Sequence, residues 1–105
     1  MVRIYKRTAA KRDLIQHFVY LADHAGIEIA EQFLIEVESS IANLASFPEM
    51  GSPTPSGRQQ LAGLRKCPVA NFDKFLIFYA PHPHGISVVR VLHAAQDWWS
   101  LFEIV

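Results

Sequence analysis

Residues 72–93, FDKFLIFYAPHPHGISVVRVLH, hold two runs rich in β-branched and aromatic side chains on either side of a short turn segment. The spacing predicts one strand over residues 72–79 and another over residues 86–92, because such side chains fit the pleated surface of a sheet. The segment between them, PHPHG at 81–85, has the residues that join consecutive strands in a hairpin. The stretch therefore predicts an antiparallel strand pair.

Two amphipathic segments precede this pair, and Gly26 separates them. Thr8 stands where an N-cap is expected, and Phe47-Pro48 is expected to end the second segment. Apolar residues recur at helical spacing in both: Leu14, Ile15, Phe18, Leu21 and Ala22 in the first, and Ile27, Ala30, Phe33, Leu34, Val37, Ile41, Leu44 and Ala45 in the second. The short break between them predicts an antiparallel helical hairpin.

Two further strands are predicted, over residues 2–6 and from Leu61 to about Val69, with a Pro- and Gly-rich loop over residues 48–60. The order is therefore β-α-α-β-β-β. This order predicts an α+β fold in which the helical hairpin packs on one face of a small, mostly antiparallel sheet. We expect one domain over residues 1–105, and we expect function on the sheet face that the helices leave open.

Composition narrows the class of protein. Half of the 105 residues are hydrophobic, which is ample for a folded core. The single cysteine, Cys67, excludes an intramolecular disulfide framework and suits a reducing compartment. No stretch has the roughly 20 apolar residues that span a bilayer, and no signal peptide is visible, so we expect a cytoplasmic protein.

The formal net charge is zero, but the charges are sorted along the chain. Residues 1–12 are basic, residues 13–57 contain no Lys or Arg, and residues 58–90 are basic again apart from Asp73. The last of these segments carries a set of cations that could contact phosphates or an acidic protein surface: Arg58, Arg65, Lys66, Lys74 and Arg90. An ordinary solvated exterior is the alternative interpretation.

The stretch RVLHAAQD, residues 90–97, raises the question of an active site. In a regular strand Arg90 and His93 point to opposite faces and cannot form an acid–base pair. We expect Arg90 to be partly buried and paired with Asp97 or a backbone carbonyl, since an unpaired arginine on an apolar face is costly. His93 can titrate near neutrality or simply bond a neighbouring loop.

No cofactor or metal site is predicted. His82 and His84 form an H-x-H pattern, but two ligands are too few, and a solvated hairpin turn is the simpler explanation. Cys67 has no neighbouring motif that indicates a nucleophile. The sequence also has no Gly-rich phosphate loop and no G-x-S-x-G elbow.

Several short motifs, taken together, resemble those of the RelE/ParE toxin superfamily, and more closely its ParE branch. They cover nearly the whole chain in order: A-x-x-D-L from Ala10, G-x-x-x-A-x-x-F from Gly26, L-A-x-F-P-x-M-G from Leu44, G-L-R from Gly63, F-L-I-F-Y from Phe75, G-I-x-V-V-R-V-L-H from Gly85, and Asp97. The resemblance implies a toxin of a type II toxin–antitoxin pair. Its cognate antitoxin would wrap it as an extended, partly helical segment, giving a hetero-oligomer.

ParE-type toxins inhibit DNA gyrase, whereas RelE-type toxins cut messenger RNA on the ribosome. RNA cleavage needs a base, an acid and positive charge on the phosphate. Residues 94–102, AAQDWWSLF, contain no Lys, Arg, Tyr or His and so depart from the ribonuclease pattern. The expectation is therefore a gyrase inhibitor with no catalytic residue. A messenger RNA endonuclease, with His93 and Lys74 or Arg65, and a non-toxic antitoxin-binding module are the alternatives.

The resemblance and the basic segment together give the candidate site residues. We expect Arg65, Lys74 and His93 to contact the target, and Arg90 and Asp97 to be mainly structural. No membrane and no sequence-specific nucleic acid is expected as a partner.

Overall fold

The computed structural model describes residues 2–54 and 63–96. Its elements follow one another as β1 (Arg3–Lys6), α1 (Thr8–Ala25), α2 (Ile27–Ser46), β2 (Ser52–Pro53), β3 (Arg65–Val69), β4 (Phe72–His82) and β5 (Gly85–His93). The predicted α+β class and the order of the predicted elements are confirmed. The short strand β2, inside the segment that the sequence assigned to a loop, is additional.

The five strands form one sheet in the order β1-β5-β4-β3-β2. Only β1 and β5 run parallel; the other three pairs are antiparallel. The prediction of a mostly antiparallel sheet is therefore confirmed. β2 pairs with β3 through Ser52↔Lys66 and Pro53↔Arg65, and a two-residue strand that contains proline has too little periodicity to be recognised in a sequence.

The β4–β5 hairpin is longer than the sequence indicated. Its pairing extends from Phe75↔His93 to His82↔Gly85, which leaves only Pro83 and His84 in the turn. Gly85 is required there because it faces Arg3 of β1, where a Cβ atom would run into the Arg3 carbonyl. The hairpin thus carries β1 on one side and β3 on the other.

The helical hairpin is held at Gly26, which separates α1 from α2 with φ of 102°, a conformation that glycine adopts most easily. The prediction of Thr8 as N-cap is wrong: Arg7 holds that position, without a side-chain hydrogen bond. The Arg7 backbone N–H instead donates to the Val88 carbonyl at 3.0 Å. Lys6 pairs with Glu38, which ties β1 to α2.

The main core lies between the helical hairpin and the sheet. α2 contributes a continuous apolar face, and each fully buried Val, Leu, Ile or Phe in such a core stabilises the fold by roughly 1.5–3 kcal/mol. The residues of this face are Ala30, Phe33, Val37, Ile41, Leu44 and Ala45. Ile15 and Ile27, expected on the core stripes, are 65% and 53% exposed, and Asp13 is buried in α1 instead.

The opposite face of the sheet carries a second apolar cluster. Phe78 and Leu92 are fully buried there, together with Leu64 and Val89, and Leu76 packs against them. The expectation of an open functional face is therefore wrong at these positions. Among the described residues, two histidines, His17 and His93, line a cleft at the end of β5, where α1 passes beside it. No helix in the described residues is long and apolar enough to cross a membrane.

Candidate target-binding site

The edge of β5 changes neighbours at Val88. β1 pairs with β5 only as far as Lys6↔Val88, so the remaining residues of β5 need another partner on that side. α1 supplies it: Asp13 Oδ2 accepts the Val91 N–H at 3.0 Å, and His17 Nε2 contacts the Val91 carbonyl at 2.7 Å. Two helix side chains, four residues apart on one face, thus replace a strand's backbone. We call Asp13, His17, Arg90 and Val91 the β5 clamp.

Arg90 is part of this clamp through a bidentate ion pair. Its Nε donates to Asp13 Oδ2 at 2.7 Å, and its second terminal nitrogen donates to Oδ1 at 2.8 Å. Both side chains are mostly buried, at 17% and 6% exposure. The hydrogen bonds to Asp13 raise the pKa of Arg90. Arg90 therefore pairs with Asp13, whereas the sequence analysis expected Asp97 or a backbone carbonyl as its partner. Asp97 lies outside the described residues.

His17 is held in its neutral form by its surroundings. Burial lowers its pKa, an effect that exceeds the opposing influence of the Val91 carbonyl and of Asp13. Its ring packs edge-on against Phe75 at 4.9 Å and lies 6.2 Å from Phe33. Because a carbonyl oxygen can only accept, the His17 proton is on Nε2, and Nδ1 is left as an acceptor.

His93 ends β5 in the same tautomer as His17, but it bonds the backbone through its other ring nitrogen. Its Nδ1 accepts the Ala95 N–H at 3.0 Å, so the proton of the neutral ring is on Nε2. Its own N–H donates to Gln96 Oε1 at 2.7 Å, which fixes the turn after the strand. The ring lies edge-on to Phe75, with centroids 5.0 Å apart. Phe75 therefore contacts both histidine rings.

The two histidines line one cleft between α1 and the end of β5. Its volume is about 520 Å³, and its lining residues are Gln16, His17, Tyr20, Phe75, His93, Ala95 and Gln96. Arg90 and His93 point to opposite faces of β5, as expected, because residues 90–93 pair with β4 without a break, from Phe78↔Arg90 to Phe75↔His93. The register shift lies before Arg90 and leaves Val89 without a strand partner. Both side chains still reach α1, since Arg90 bonds Asp13 and His93 lines the cleft beside His17.

Lys74 lies at the same end of the sheet. The Lys74 carbonyl accepts the Ala94 N–H at 2.6 Å, directly beyond the Phe75↔His93 pair. Lys74 is exposed. The structure therefore brings two of the three predicted contact residues, Lys74 and His93, to one end of the hairpin.

Arg65 lies elsewhere and is bound to the protein's own backbone. It pairs with Tyr79 in the sheet, four residues along β4 from the His93 partner, or roughly 13 Å at strand spacing. Its guanidinium donates to the Gly51 carbonyl at 2.6 Å and to the Glu49 carbonyl at 3.2 Å. These bonds hold the turn that follows α2.

Tyr79 completes this second polar arrangement. Its hydroxyl donates to the Pro48 carbonyl at 2.7 Å and accepts the Gly51 N–H at 2.8 Å. Burial raises its pKa, so the phenol stays protonated. A Cβ on Gly51 would lie only 2.5 Å from the hydroxyl oxygen, so glycine is required for this close approach. We call Arg65, Tyr79 and residues 48–51 the Arg65–Tyr79 lock.

His82 and Cys67 were the other residues considered as a metal ligand and a nucleophile. The His82 ring packs on Tyr5 at 4.6 Å, and the described residues contain no group of three or more His, Cys, Asp or Glu that could hold a metal ion. Burial raises the pKa of the Cys67 thiol, which disfavours the nucleophilic thiolate.

Sequence reasoning assigned no role to His17 and named Asp13 only as the aspartate of the A-x-x-D-L motif. A signal was present, since both are polar residues at four-residue spacing next to the apolar stripe of the first helix. Polar side chains that close to a core face need partners, and here the partner is an unpaired strand edge.

Residues 4–98 match the family model described as "ParE toxin of type II toxin-antitoxin system, parDE". The chain belongs to the ParE toxin family. Toxin ParE1 of Caulobacter vibrioides is 30% identical over 88 residues, which cover 84% of each protein. A solved structure of the chromosomal ParDE TA system from P. aeruginosa shares the fold, with a TM-score of 0.71 and 17% identity over 89% of this chain and 96% of that chain.

ParE membership confirms the resemblance drawn from the motifs. The chain is a toxin of the type II toxin–antitoxin class, and the parDE family implies an antitoxin as its partner. The structure also explains five of the motifs. The aspartate of A-x-x-D-L and the arginine of G-I-x-V-V-R-V-L-H pair in the β5 clamp. The proline and last glycine of L-A-x-F-P-x-M-G, the G-L-R arginine and the last residue of F-L-I-F-Y belong to the Arg65–Tyr79 lock.

Proposed function

We propose that this chain arrests growth by binding DNA gyrase, and that a cognate antitoxin neutralises it by covering its surface. The whole chain, residues 1–105, would act as one ParE-like domain in the cytoplasm, where gyrase works. Membership of the ParE family supports this proposal. No cofactor is required for inhibition by protein contact.

One observation favours binding over RNA cleavage. A ribonuclease needs cations that can hold a phosphate next to its acid and base. Here the guanidinium of Arg90 is bound to Asp13, and that of Arg65 is bound to two backbone carbonyls about 13 Å away along β4. Within the described residues, Lys74 is the cation that remains exposed at the end of the hairpin that carries His93.

The described surface also supports neutralisation by a protein segment. The outer face of α1 exposes Ile15, Val19 and Tyr20, at 65%, 52% and 57%. β1 is an edge strand of the sheet, and its Ile4 side chain is 42% exposed. An amphipathic helix can dock on the first surface, and an extended strand can pair with the second. Both are modes by which an antitoxin segment would wrap this toxin.

The proposal is tested with purified gyrase. The full chain should increase the fraction of DNA that gyrase leaves cleaved when the complex is denatured, and added antitoxin should abolish the effect. Ribosomes programmed with messenger RNA form the second arm. Cleaved messenger RNA with unaffected gyrase would replace the proposal by the ribonuclease, and no effect in either arm would leave a non-toxic antitoxin-binding module.

Residue contacts are tested with variants. Replacing Arg65 and His93 together by Ala should relieve growth arrest while antitoxin binding persists. Because Arg65 also holds the turn after α2, the matched pair Lys74→Ala with His93→Ala separates contact from stability. Full toxicity in both double variants would rule out these residues as contacts.

A further inference from the structure

The outer face of α1 carries one continuous exposed row of side chains, because residues four apart lie above one another on a helix. All members of the row are exposed: Arg7, Lys11, Ile15, Val19 and Asp23. Ile15 and Val19, at its centre, are 65% and 52% exposed. The row therefore has cations at one end, two apolar side chains in the middle and a carboxylate at the other end. From Lys11 to Asp23 it spans roughly 18 Å along the helix axis.

The charges of this row oppose the dipole of their own helix. Acids stabilise the N-terminal end of a helix and bases its C-terminal end. The first turn of α1 contains no acid and ends at Lys11, whereas Asp23 lies in the last turn. The basic residue of the last turn, His24, lies outside the row. Neither Lys11 nor Asp23 forms an ion pair with another described residue. An antiparallel partner helix would bring opposite charge to both ends.

The pattern of the row is its own complement. A helix that fits it needs an acid opposite Lys11, apolar side chains opposite Ile15 and Val19, and a base opposite Asp23. The same row in the reverse direction supplies that order. Two copies placed antiparallel about a two-fold axis between Ile15 and Val19 therefore pair Lys11 with Asp23 twice and Ile15 with Val19 twice. A parallel arrangement would instead bring like charges together.

Two other exposed surfaces do not complement themselves. The free edge of β1 carries Arg3 and Lys6 and no acid, so pairing it with a second β1 would bring cations together. The outer face of α2 exposes Ile35 at 60%, but the helix contains no Lys or Arg. Its exposed charges are all acidic: Glu28, Glu31 and Glu38. A second copy is therefore matched by the face of α1.

We propose that two copies of this toxin associate through the outer faces of α1, antiparallel, with Lys11 of each copy paired with Asp23 of the other. One face of an 18-residue helix makes a small interface, so the dissociation constant is expected on the order of 10–100 µM. The pairing would cover Ile15 and Val19 while no antitoxin is bound.

The same face is the one proposed above for an antitoxin helix. The antitoxin and the second copy therefore exclude each other, and antitoxin binding should dissociate the pair. This consequence rests on the proposed function, whereas the pairing of two copies does not.

The first test is sedimentation equilibrium of the full chain, refolded after separation from its antitoxin, at about 5–500 µM. The wild type should change from monomer to dimer over this range. Lys11→Glu opposes two acids at both contacts and Asp23→Lys opposes two bases, so each should weaken the dimer about tenfold. Both substitutions suit the helix dipole, so unfolding would not explain the loss. Asp73→Lys, at an exposed acid of β4, is the matched control and should leave the dissociation constant unchanged.

An equimolar mixture of the two single variants tests the antiparallel register. In a mixed pair the introduced Glu faces the introduced Lys, and the unchanged Asp23 faces the unchanged Lys11. The mixture should therefore dimerise within about threefold of the wild type, although each variant alone does not. A wild type that stays monomeric at about 500 µM, single variants that dimerise like the wild type, or a mixture that stays monomeric would each overturn the proposal.

The competition is measured separately with saturating antitoxin. Because the α1 faces should no longer meet, the mass of the antitoxin-bound assembly should be the same for the wild type and Asp23→Lys. A mass that still depends on this charge would reject the antitoxin helix of the proposed function and leave the dimer. A mixture that fails to dimerise, with normal antitoxin binding, would reject the dimer and leave the proposed function.

Discussion

Two polar arrangements, the Arg65–Tyr79 lock on the β3 side of β4 and the β5 clamp on its other side, satisfy backbone groups with side chains. In both, burial favours the neutral form: it raises the pKa of Tyr79 and lowers that of His17. They differ in the hydrogen-bonding groups that remain unused. The Tyr79 hydroxyl both donates to and accepts from the turn after α2, whereas His17 keeps one ring nitrogen and lines an open cleft.

The difference shows that an arginine within a family motif need not contact a partner. Both arginines donate to groups of their own chain: Arg65 to two backbone carbonyls, and Arg90 to a carboxylate. The side chains that stay available beside them are the imidazoles and Lys74. The lock should therefore respond to mutation through stability, and the cleft through binding.

The largest stability effect is expected at Asp13. Asp13→Asn leaves the mostly buried Arg90 without its countercharge, and breaking a buried ion pair in this way costs about 3–5 kcal/mol. Denaturant unfolding measures the loss. Asp23→Asn, at an exposed acid of the same helix, should change the free energy of unfolding by less than about 0.5 kcal/mol. Similar values for the two variants would contradict the clamp.

The lock should show strong coupling between two of its members. Gly51→Ala places a methyl group against the Tyr79 hydroxyl and should cost about 1–3 kcal/mol. In a Tyr79→Phe background the nearest clashing atom is gone, so the same substitution should cost less, although the Lys66 carbonyl and the ring carbon would still lie 2.8 Å from the added Cβ. A double-mutant cycle of unfolding free energies measures this, and simple additivity would show that the hydroxyl is not the contact that matters.

His17 should show a smaller effect that depends on pH. His17→Phe removes the donor to the Val91 carbonyl and should cost about 1–3 kcal/mol, while His17→Gln, which can keep a donor there, should cost less. Because burial holds the pKa of His17 in the folded chain below the usual histidine value of 6.5, the unfolded chain binds a proton first as the pH falls. The wild type should therefore lose stability below about pH 6.5, and both variants should lose less over the same range.

The smallest stability effect is expected at the cleft mouth. Lys74→Ala and His93→Ala should each change the free energy of unfolding by at most about 1 kcal/mol, because Lys74 is exposed and His93 Nδ1 accepts a single hydrogen bond. The same variants should weaken gyrase trapping, whereas Arg65→Ala should lower stability and trapping together. If His93→Ala lowered the free energy of unfolding as much as Arg65→Ala, the contrast between the two regions would be lost.

The sequence predicted the fold well because the apolar period of α2 is long and regular, and because β5 is a run rich in β-branched residues. It failed where tertiary contacts override local pattern. Two residues of β2 carry no period, and Ile15 fits the apolar stripe although it is exposed. The partner of Arg90 is 77 residues away, at a distance that no local motif encodes. His93 and Lys74 were named from the motif and the charge pattern, but the cleft depends on His17, which only the docking of α1 brings to β5.

We propose that this toxin acts on gyrase by contact. Pulse-labelled DNA synthesis and protein synthesis, followed in parallel minutes after the chain is induced without its antitoxin, test this. We expect DNA synthesis to fall first while protein synthesis continues. An early fall in protein synthesis would contradict it in favour of messenger RNA cleavage, and no fall in either would contradict toxicity itself.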